Sequence, residues 1–462
     1  MSTPTLHVLA DGGPGVGAGH LGRCLALAQS WAGAHGRAVL VGAAPPEAWA
    51  DRYRSAGVAV EPDPDQRPDV LVVDGYRYRD DDVAGRAGGA PVVSIDDHGV
   101  GGHAGAALVV DQNLGATAAP YGTPSSEVLA GTRYALLRDE VVRCRPASPA
   151  DRAAAPHRLG VAMGGDPPPA TRQLFDDARA ALAAERGLEI VELQGLRDLG
   201  PVLADLDLAL TAAGSTVWEL ALFGVPTVAV AVADNQIPVA RLAGQAGLVV
   251  DAGDAGTTTG DHLAELVRAL LADPARRTAL AAAGRAAVDG RGASRVATAA
   301  RSLLVRLRRA VPDDARQLWQ WANDDAVRAA SFHPEPIPWD DHVAWFQRLL
   351  ADQRSAQWLA MDGAGTPLGQ FRVELDEAGR GTVDVSVDPG RRGQGWAGPL
   401  IAAGARQAAS ELRPQGIRAL EASVLLANEP SSRAFLAADF DAGPDGSAGG
   451  WEHHTYTRTC DG

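Results

Sequence analysis

Two short stretches of the chain combine glycine with residues that can bind or transform a phosphorylated ligand. Gly17–Arg23 reads Gly-Ala-Gly-His-Leu-Gly-Arg and follows an apolar run. Arg391–Leu400 reads Arg-Arg-Gly-Gln-Gly-Trp-Ala-Gly-Pro-Leu and also follows a strand-like run. Each places small residues at the predicted start of a helix, where unpaired backbone N–H groups and the helix dipole favour an anion. Two such sites with different surroundings predict two ligands and two chemistries.

His20 is the residue of the first stretch that can do acid–base chemistry. A histidine titrates near neutral pH, so it can serve as the base that activates a water molecule. Its place in the turn before the first predicted helix favours a position that faces a cleft. Taken alone, a histidine there is equally consistent with capping or packing.

The composition narrows the possible partners. The chain has 462 residues, 46% of them hydrophobic, which is enough for about three domains. Its net charge of −15 argues against nucleic acid and against an anionic membrane surface, because both require a basic footprint. All 42 basic residues are arginine, which excludes a Walker P-loop, a Schiff base and a lysine base.

The cysteines and the first residues indicate the cytoplasm. Cys24, Cys144 and Cys460 lie far apart and form neither a CxxC pair nor zinc spacing. We therefore expect free thiols in a reducing compartment and no bound metal. Met1–Val8 has no basic or apolar signal character, and no run approaches the roughly 18 apolar residues of a membrane span.

The elements that must position these residues begin with an α/β series. Uninterrupted apolar runs are typical of buried parallel strands, so their alternation with helical stretches predicts a doubly wound domain over residues 1–150. The predicted strands are Leu6–Ala10, Ala38–Val41, Val70–Val73, Val92–Ile95 and Ala107–Val110. The predicted helices are Leu21–Trp31 and Pro46–Ala56.

A second α/β series follows a predicted linker at Pro146–Pro156 and occupies residues 151–302. Two Rossmann-like domains in series place a cleft between the carboxyl ends of their strands. The predicted elements are strands Leu159–Met163, Ile190–Leu193, Leu206–Leu210, Val225–Val232 and Leu248–Val250, with a helical region at Gly260–Val288.

The pattern changes over the last third of the chain, residues 303–462. Alternating apolar and polar residues predict a mixed or antiparallel sheet with one solvated face, and a glycine-rich tip predicts a loop. The predicted elements are strands Val305–Arg308, Phe371–Glu374 and Val383–Val387, helix Asp313–Ala322, and the loop Asp441–Gly450.

A series of motifs in the first two domains carries a family resemblance. The segments are Leu9–Asp11, Gly17–Cys24, Val72–Tyr76, Ile95–Asp97, Asp111–Leu114, Gly131–Arg138, Gly164–Asp166, Ala213–Leu220 and Ala233–Gln236. In this order they resemble the UDP-sugar hydrolases of pseudaminic acid biosynthesis, which are similar to the GT-B glycosyltransferase that makes lipid II. The resemblance implies a GT-B-like pair of Rossmann-like domains that holds a UDP-sugar in its cleft.

The resemblance implies a catalytic set on the sugar side of that cleft. UDP is a good leaving group, so the main task is to activate water at the anomeric carbon, and His20 is the implied base. Tyr76 and Asn235 match family positions that line the sugar, and Asp11 is an implied partner of a sugar hydroxyl or of the water. Packing for Tyr76 and a turn role for Asn235 are the structural alternatives.

The nucleotide side uses a second predicted helix start. Backbone and hydroxyl donors there can bind the diphosphate, and they belong to Gly214, Ser215 and Thr216. Glu219 lies four residues beyond Ser215 on the same helix face, and the resemblance implies that it accepts the ribose hydroxyls. The other implied UDP-binding residues are Gly19, Gly164 and Gln236.

Two departures from the family pattern concern the sugar. Leu9 stands where the family usually carries a basic residue, and Gly12–Gly15 lengthens the following loop. Both bear on which sugar is bound more than on the UDP site.

The second glycine-rich stretch carries its own resemblance. Val387–Ala397 fits the pattern Arg/Gln-x-x-Gly-x-Gly/Ala at Arg392, Gly395 and Ala397. It resembles the acetyl-CoA motif of GNAT acetyltransferases, in which backbone N–H groups close around the pyrophosphate. The implied acetyl-CoA-binding residues are Val387, Arg392, Gly393, Gln394, Gly395, Trp396, Ala397, Asn428 and Ser431.

Further segments point to a subgroup of that family. Leu318–Arg328 and Ile337–Phe346 match sugar-amine acetyltransferases, which include the enzyme that acetylates the 4-amino group of a UDP-linked 4-amino-4,6-dideoxy sugar. His342, Trp345 and Trp339 would line the acceptor pocket, or would pack within an amphipathic helix.

The acid and base of acetyl transfer stay open. Asn428–Ser431 resembles the family segment in which Asn428 holds the pantetheine arm, but Phe435 replaces the Tyr often used as the general acid, and Asp439 replaces the usual Gly. Water or Ser431 would then protonate the CoA thiolate. Glu421, Asp384 or a water chain would serve as the base.

Together these features predict an α/β protein with a GT-B-like pair of Rossmann-like domains followed by a mixed α/β GNAT domain. The predicted function is bifunctional: N-acetylation of a UDP-amino-deoxysugar, then hydrolysis at C1 with inversion that releases UDP, in a pseudaminic acid-like, nonulosonic acid or specialised aminosugar pathway. A GT-B glycosyltransferase fused to a GNAT domain, and a non-catalytic nucleotide-sugar or CoA sensor, are the alternatives. The expected partners are small molecules, the UDP-amino sugar and acetyl-CoA.

Overall fold

A computed structural model of the chain describes residues 3–12, 18–97, 99, 105–121, 127–148, 155–165, 167–196, 198–448 and 451–460. Gly17 of the first glycine-rich stretch, Asp166 of the Gly164–Asp166 motif, Gly13–Gly15 and residues 149–154 of the predicted linker lie outside these ranges. The chain divides into two compact units, Met1–Val296 and Ala297–Gly462. In the described ranges no helix is long and apolar enough to cross a membrane.

The first unit opens with a parallel sheet, whose seven described strands have the order β3-β2-β1-β4-β5-β6-β7. β1 and β4 are buried at every position, as expected for central strands covered on both faces. The strands are β1 Thr5–Ala10, β2 Arg37–Val41, β3 Ala59–Val60, β4 Val70–Asp74, β5 Val92–Ile95, β6 Leu108–Asp111 and β7 Glu127–Ala130. The helices are α1 Gly19–Gly33, α2 Glu47–Ser55, α3 Asp80–Ala87 and α4 Asp139–Val142.

A second parallel sheet follows in the same unit, with five described strands in the order β12-β11-β10-β8-β9. Its strands are β8 Arg158–Ala162, β9 Glu189–Glu192, β10 Leu208–Ala212, β11 Thr227–Ala231 and β12 Val250–Asp254. The helices are α5 Pro169–Leu182, α6 Gly200–Ala204, α7 Thr216–Phe223, α8 Ile237–Gln245, α9 Gly260–Ala272, α10 Pro274–Ala287 and α11 Gly292–Ser302, the last of which runs across the boundary between the units.

Two predicted elements of this region differ from the structure. The helical region Gly260–Val288 consists of two helices, because the Asp273 side chain accepts a hydrogen bond from Arg276 N–H and Pro274 begins a new helix. The strand predicted at Leu248–Val250 lies further on, as β12, where it pairs with β11 through a register shift.

The second unit is built on a mixed sheet with the described strand order β13-β14-β15-β16-β17-β20-β18, and β19 pairs with β20. Its strands are β13 Arg306–Arg309, β14 Ser355–Met361, β15 Pro367–Leu375, β16 Arg380–Val387, β17 Ala419–Leu425, β18 Asp441–Ala442, β19 Gly446–Ala448 and β20 Trp451–Thr459. Its helices are α12 Ala315–Ala322, α13 Asp325–Ala329, α14 Trp339–Ala351, α15 Ala397–Glu411 and α16 Glu429–Ala437. The predicted loop Asp441–Gly450 therefore contains two short strands, and residues 449 and 450 lie outside the described ranges.

The sheet of the second unit opens at its centre. β16 and β17 are parallel neighbours, but they pair only where Arg380–Thr382 meets Ala419–Glu421. Beyond that point the two strands diverge, so the backbone of Val383–Val387 has no ladder partner on the β17 side within the described sheet. Unpaired strand edges present N–H and C=O groups to a ligand.

Candidate active sites

The first site forms where the strands of the first sheet end. Asp74 is the last residue of β4 and is fully buried, and His20 lies in the first turn of α1. His20 Nδ1 is 2.6 Å from Asp74 Oδ1. An ionised carboxylate only accepts hydrogen bonds, so this short contact favours the tautomer with the proton on Nδ1 and a lone pair on Nε2. Arg23 Nη2 also lies 3.1 Å from Nδ1.

Arg23 joins this pair to a second carboxylate. Its guanidinium donates to Asp74 Oδ2 at 2.6 Å and to Asp97 Oδ1 at 2.8 Å. Burial alone would raise the pKa of both carboxyl groups, but the Arg23 charge holds each pKa below its ordinary value. Two carboxylates and one guanidinium give the group beside His20 a net charge of −1.

Tyr76 and Asn235 complete the group around His20. The Tyr76 hydroxyl donates to Asp97 Oδ2 at 2.7 Å, and Asn235 Nδ2 donates to the Tyr76 hydroxyl at 3.3 Å. The Tyr76 and His20 rings meet edge to face with centroids 5.2 Å apart. Burial, and then the Asp97 charge, raise the pKa of Tyr76, so its hydroxyl stays protonated. Asn235 belongs to the second sheet's half of the unit, so this bond joins the two halves.

Asp11 is placed differently from the other predicted catalytic residues. It is buried, and its carboxylate forms an ion pair with Arg77. The structure thus brings His20, Tyr76 and Asn235 together, whereas Asp11 is occupied by an arginine that the sequence motifs did not single out.

The predicted nucleotide residues converge at the start of α7. Within the described residues, no acceptor is bound by the N–H groups or the hydroxyls of Ser215 and Thr216. The Cβ position of Gly19 lies 3.7 Å from Ser215 Oγ, and that of Gly214 lies 3.7 Å from Gln236 Nε2. The start of α1 and the start of α7 therefore lie side by side.

Glycines permit this close approach. A side chain at Gly165 would lie 2.6 Å from the backbone nitrogen of Ala18, so only glycine fits there. Its neighbour Gly164 has a positive φ of 93° and accepts a hydrogen bond from the Gln194 side chain. The two loops meet backbone to backbone beside His20.

Glu219 is paired within the protein. Its Oε1 accepts a hydrogen bond from Arg138 Nη2 at 3.0 Å, and both side chains are largely buried. Arg138 also lies 3.3 Å from Glu140. One carboxylate oxygen of Glu219 is thereby fixed and the other is not engaged by Arg138.

Four further side chains of this site lie inside the sequence motifs but were given no role by sequence reasoning. They are Arg23, Asp74, Asp97 and Arg138. The available signal was that Asp74 and Asp97 follow neighbouring strands, β4 and β5, whose carboxyl ends lie at one edge of the sheet.

The second site lies between β16 and α15 in the second unit. The N–H groups of Arg392, Gly393, Gln394, Gly395 and Trp396 donate to no acceptor in the part of the chain that is described. Gly393 and Gly395 have φ values of 72° and 73°, which non-glycine residues rarely adopt. The loop thus presents consecutive free donors at the start of α15, where Ala397 is the first helical residue.

Side chains of other elements hold this loop. Asp388 accepts from Trp321 Nε1 at 2.9 Å and from Gly390 N–H at 2.9 Å. Arg392 forms an ion pair with Asp324 at 2.7 Å. Arg301 donates to the Gln394 carbonyl at 2.9 Å.

Trp396 and Val387 flank the loop. The Arg301 guanidinium lies 4.4 Å from the centre of the Trp396 ring, and burial lowers the pKa of Arg301 to about 10. Val387 ends β16 at the opening between β16 and β17.

The α16 segment shows how the motif departures are accommodated. Asn428 caps α16 by accepting from Ser431 N–H at 3.3 Å. Phe435 is buried between Phe440 and Tyr456, with ring centroids 5.1 and 5.7 Å away, and so belongs to the core. Asp439 has a positive φ of 68°, which explains why glycine is usual at that position.

A cavity of about 640 Å³ in the second unit is lined by residues of α12 and α14 and of the strands β14, β15 and β16. His342 and Trp345 line it, together with Gln357, Gln370 and Asp384, and their role at an acceptor pocket stays a prediction. Trp339 is not among the described lining residues. Its ring stacks on His342 instead, with centroids 6.2 Å apart.

The titratable groups of the cavity include a histidine held neutral by its surroundings. Burial, with a smaller contribution from Arg372, lowers the pKa of His342, and its Nε2 contacts the Ala315 carbonyl at 3.0 Å. Arg372 lies 3.6 Å from Asp384 and 4.8 Å from the centre of the Trp345 ring. Glu421, the other candidate base, is not among the described lining residues.

Comparison with known proteins identifies the second unit. Residues 305–441 match the family model described as the acetyltransferase (GNAT) domain. The C-terminal part of the chain is therefore a GNAT acetyltransferase domain, and acetyl-CoA is its co-substrate. The chain has no significant match among curated proteins.

Solved structures resemble about one third of the chain. Spermidine N-acetyltransferase from Vibrio cholerae, in complex with CoA and spermine, is 13% identical over 34% of this chain and 95% of its own, with a TM-score of 0.30. Aminoglycoside acetyltransferase AAC(6')-Ib, with ribostamycin and coenzyme A, is 16% identical over 34% of this chain and 93% of its own, also at 0.30. Such scores carry no structural argument, so the assignment rests on the family match.

Among the described residues, no group of three or more His, Cys, Asp or Glu side chains is arranged to hold a metal ion.

Proposed function

We propose that the chain is a bifunctional nucleotide-sugar enzyme. Its GNAT domain acetylates the amine of a UDP-amino-deoxysugar, and its first unit hydrolyses the UDP-sugar at C1. The observation that carries the proposal is the His20–Asp74 pair beside Tyr76 and Asn235, next to the adjoining starts of α1 and α7. In this proposal residues 1–150 and 151–302 are the two Rossmann-like domains of a GT-B-like pair, and residues 303–462 are the acetyltransferase domain.

Hydrolysis uses the free ring nitrogen of His20. Nε2 takes a proton from water as the water oxygen forms a bond to C1 of the sugar. The bond from C1 to the phosphate oxygen breaks, and UDP leaves with the electron pair. Attack from the face opposite UDP inverts C1. Asp74 holds the imidazole in the tautomer that this step needs.

UDP is held between the two helix starts. The free N–H and hydroxyl groups of Ser215 and Thr216 suit the diphosphate, and Gly19 and Gly214 leave room for it. Glu219 keeps one carboxylate oxygen for the ribose hydroxyls. Gly164 and Gln236 border the same space.

Acetyl transfer takes place in the second unit. Acetyl-CoA supplies an acetyl thioester that an amine can attack. The consecutive free N–H groups of Arg392–Trp396 fit its pyrophosphate, and the opening beside Val387 fits the extended pantetheine arm. Ala397, Asn428 and Ser431 border that path.

The pathway order follows from the resemblance, in which the hydrolase takes the diacetamido sugar. Acetylation therefore comes first and hydrolysis second. The free sugar then supplies a nonulosonic acid or a related aminosugar pathway.

The test is to incubate the full chain with acetyl-CoA and a panel of UDP-amino sugars in oxygen-18 water and to record product masses. We expect one acetyl group on the sugar, UDP without label, and oxygen-18 in the released sugar. Label in UDP would mean cleavage at phosphorus, and sugar found only on an added acceptor would identify a glycosyltransferase. Either result would overturn the hydrolase proposal.

A further inference from the structure

Three side chains that line the 640 Å³ cavity are linked by hydrogen bonds in one direction. Gln357 on β14, Gln370 on β15 and Asp384 on β16 all line the cavity. Gln357 Nε2 donates to Gln370 Oε1 at 3.2 Å, and Gln370 Nε2 donates to Asp384 Oδ1 at 2.6 Å. The two glutamines are almost fully buried, with exposed fractions of 4% and 5%.

The carboxylate fixes the direction of this chain. Ionised Asp384 can only accept, so Gln370 must turn its NH₂ group toward it and its oxygen toward Gln357. Gln357 must then turn its own NH₂ group toward Gln370. The Oε1 atom of Gln357 therefore points away from Gln370, and this buried oxygen has no hydrogen-bond partner among the described residues.

A buried acceptor without a partner destabilises the protein unless a ligand or water supplies a donor. Gln357 lines a cavity large enough for a sugar-sized molecule, so the donor can come from the acceptor substrate. Asp384 presents a second acceptor atom, because its side chain is about half exposed at 51% and Oδ1 alone is taken by Gln370. Arg372 is 3.6 Å from Oδ2.

We propose that Gln357 is the specificity-determining residue of the acetyl acceptor, and that the cavity selects an amine that also carries hydroxyl or other N–H donors. Asp384 attracts the ammonium group and Gln357 Oε1 accepts a hydrogen bond from a second donor of the same molecule. Gln370 is a positioning residue that transmits the orientation set by Asp384. The proposal rests on the acetyltransferase activity, and it holds whether or not the amino sugar is linked to UDP.

The experiment compares two acceptors on the full chain. The first is an amino sugar, tested both as UDP-linked 4-amino-4,6-dideoxyhexose and as free D-glucosamine. The second is cyclohexylamine, which has a six-membered ring and an amine but no hydroxyl donor. We expect wild type to acetylate at least one amino sugar with a clearly lower KM than cyclohexylamine. CoA release and product mass are the readouts.

The Gln357→Met variant removes the acceptor oxygen and keeps the length of the side chain. We expect its KM for the amino sugar to rise about tenfold, the upper end of one lost hydrogen bond, while kcat and the KM for acetyl-CoA change less than about threefold. The KM for cyclohexylamine should not change. Gln347→Met, an exposed position on the same unit's α14, is the matched control and should behave as wild type.

Three outcomes would overturn the proposal. In the first, Gln357→Met has the wild-type KM for the amino sugar. In the second, the KM of this variant rises equally for the amino sugar and for cyclohexylamine. In the third, wild type acetylates cyclohexylamine at least as well as every amino sugar. If Gln357→Met does not fold, Gln370→Met provides the second test, because it releases the orientation of Gln357 and should raise the same KM. Acetylation of glucosamine but not of the UDP-linked sugar would contradict the proposed function and leave this inference intact.

Discussion

At the scale of single residues, the first site concentrates its reactivity on one ring nitrogen. His20 Nδ1 is held by Asp74, and Arg23 and Asp97 surround the pair with fixed charge. Because these partners are buried, their positions do not depend on solvent. Substitutions of His20 and of Asp74 should therefore affect catalysis much more than nucleotide binding.

We expect His20→Ala to lower UDP release about 10²–10⁴-fold, the usual loss when a general base is removed, with UDP affinity nearly unchanged. Asp74→Asn should lower the rate as well, because an amide can stabilise the wrong tautomer of the imidazole. A coupled UDP assay and calorimetry measure the two quantities. His262→Ala, on the exposed surface of α9, is the control. Turnover of His20→Ala within about threefold of wild type would refute the assignment.

Glu219→Ala has two expected effects, because Glu219 also pairs with Arg138. UDP affinity should fall by about 1.5–3 kcal/mol if the carboxylate binds the ribose. The melting temperature should fall too, because the buried Arg138 loses one of its two carboxylate partners and keeps only Glu140. Glu219→Gln separates the effects, since it keeps a hydrogen-bond acceptor for Arg138. Calorimetry that finds wild-type UDP affinity in both variants would remove Glu219 from the nucleotide site.

The buried carboxylates predict an acid-sensitive contribution to stability. The pKa values of Asp74 and Asp97 lie below the ordinary 3.8 in the folded protein, so their contribution is present above about pH 4 and is lost as the pH falls through the folded-state values. The melting temperature of Asp97→Asn should therefore lie further below that of wild type at pH 5 than at pH 3. Asp81→Asn, on the exposed start of α3, should show no such trend. A constant difference across this range would contradict the argument.

At the scale of elements, the central strands of the parallel sheets were predicted well, and their edge strands were not. Val92–Ile95 was predicted residue for residue, because buried parallel strands are continuous apolar runs. β12 lies at an edge of its sheet, where alternate residues are exposed, and its apolar signal is centred on the residues before it. β3 has only two residues, which is too few for a periodic signal. The parallel α/β sheets and the GNAT domain are confirmed, and the GT-B pairing stays a prediction.

The side-chain partners of the site could not be read from the sequence for a related reason. Asp74 is 54 residues away from His20 and Arg138 is 81 residues away from Glu219. Only the strand order brings such residues together. Motif positions predicted that His20, Tyr76 and Asn235 lie together, which the structure shows, but the ion pairs of Asp11 with Arg77 and of Glu219 with Arg138 depend on how the loops pack.

The turn before α15 predicts the effect of Gly395→Glu. The substitution places a side chain and a negative charge on a residue with a φ of 73°, in a loop of free N–H donors. We expect acetyl transfer to fall below detection. Gly416→Glu is the matched control, because Gly416 also has a positive φ, 84°, but follows a different turn. If both variants lost activity equally, backbone strain and not the anion site would be the cause.

At the scale of the whole molecule, the two compact units predict two separable activities. The full chain with Gly395→Glu should still hydrolyse an already acetylated UDP-sugar, and the full chain with His20→Ala should still acetylate. Each unit has its own buried core, so neither substitution should unfold the other unit. Parallel assays of both half-reactions on both variants, with folding checked by circular dichroism, measure this. A folded variant that lost both activities would favour one composite site.

The opening between β16 and β17 has a consequence for how the domain tolerates mutation. Its unpaired backbone groups, like those of the loop before α15, are peptide N–H and C=O groups that every residue except proline carries in full. Exchange of a side chain that points away leaves them in place. These donors and acceptors thus depend on the path of the backbone, and residue identity matters where that path needs a positive φ, as at Gly393 and Gly395. Substitutions elsewhere along the opening should therefore leave its row of N–H and C=O groups intact, unless they introduce proline.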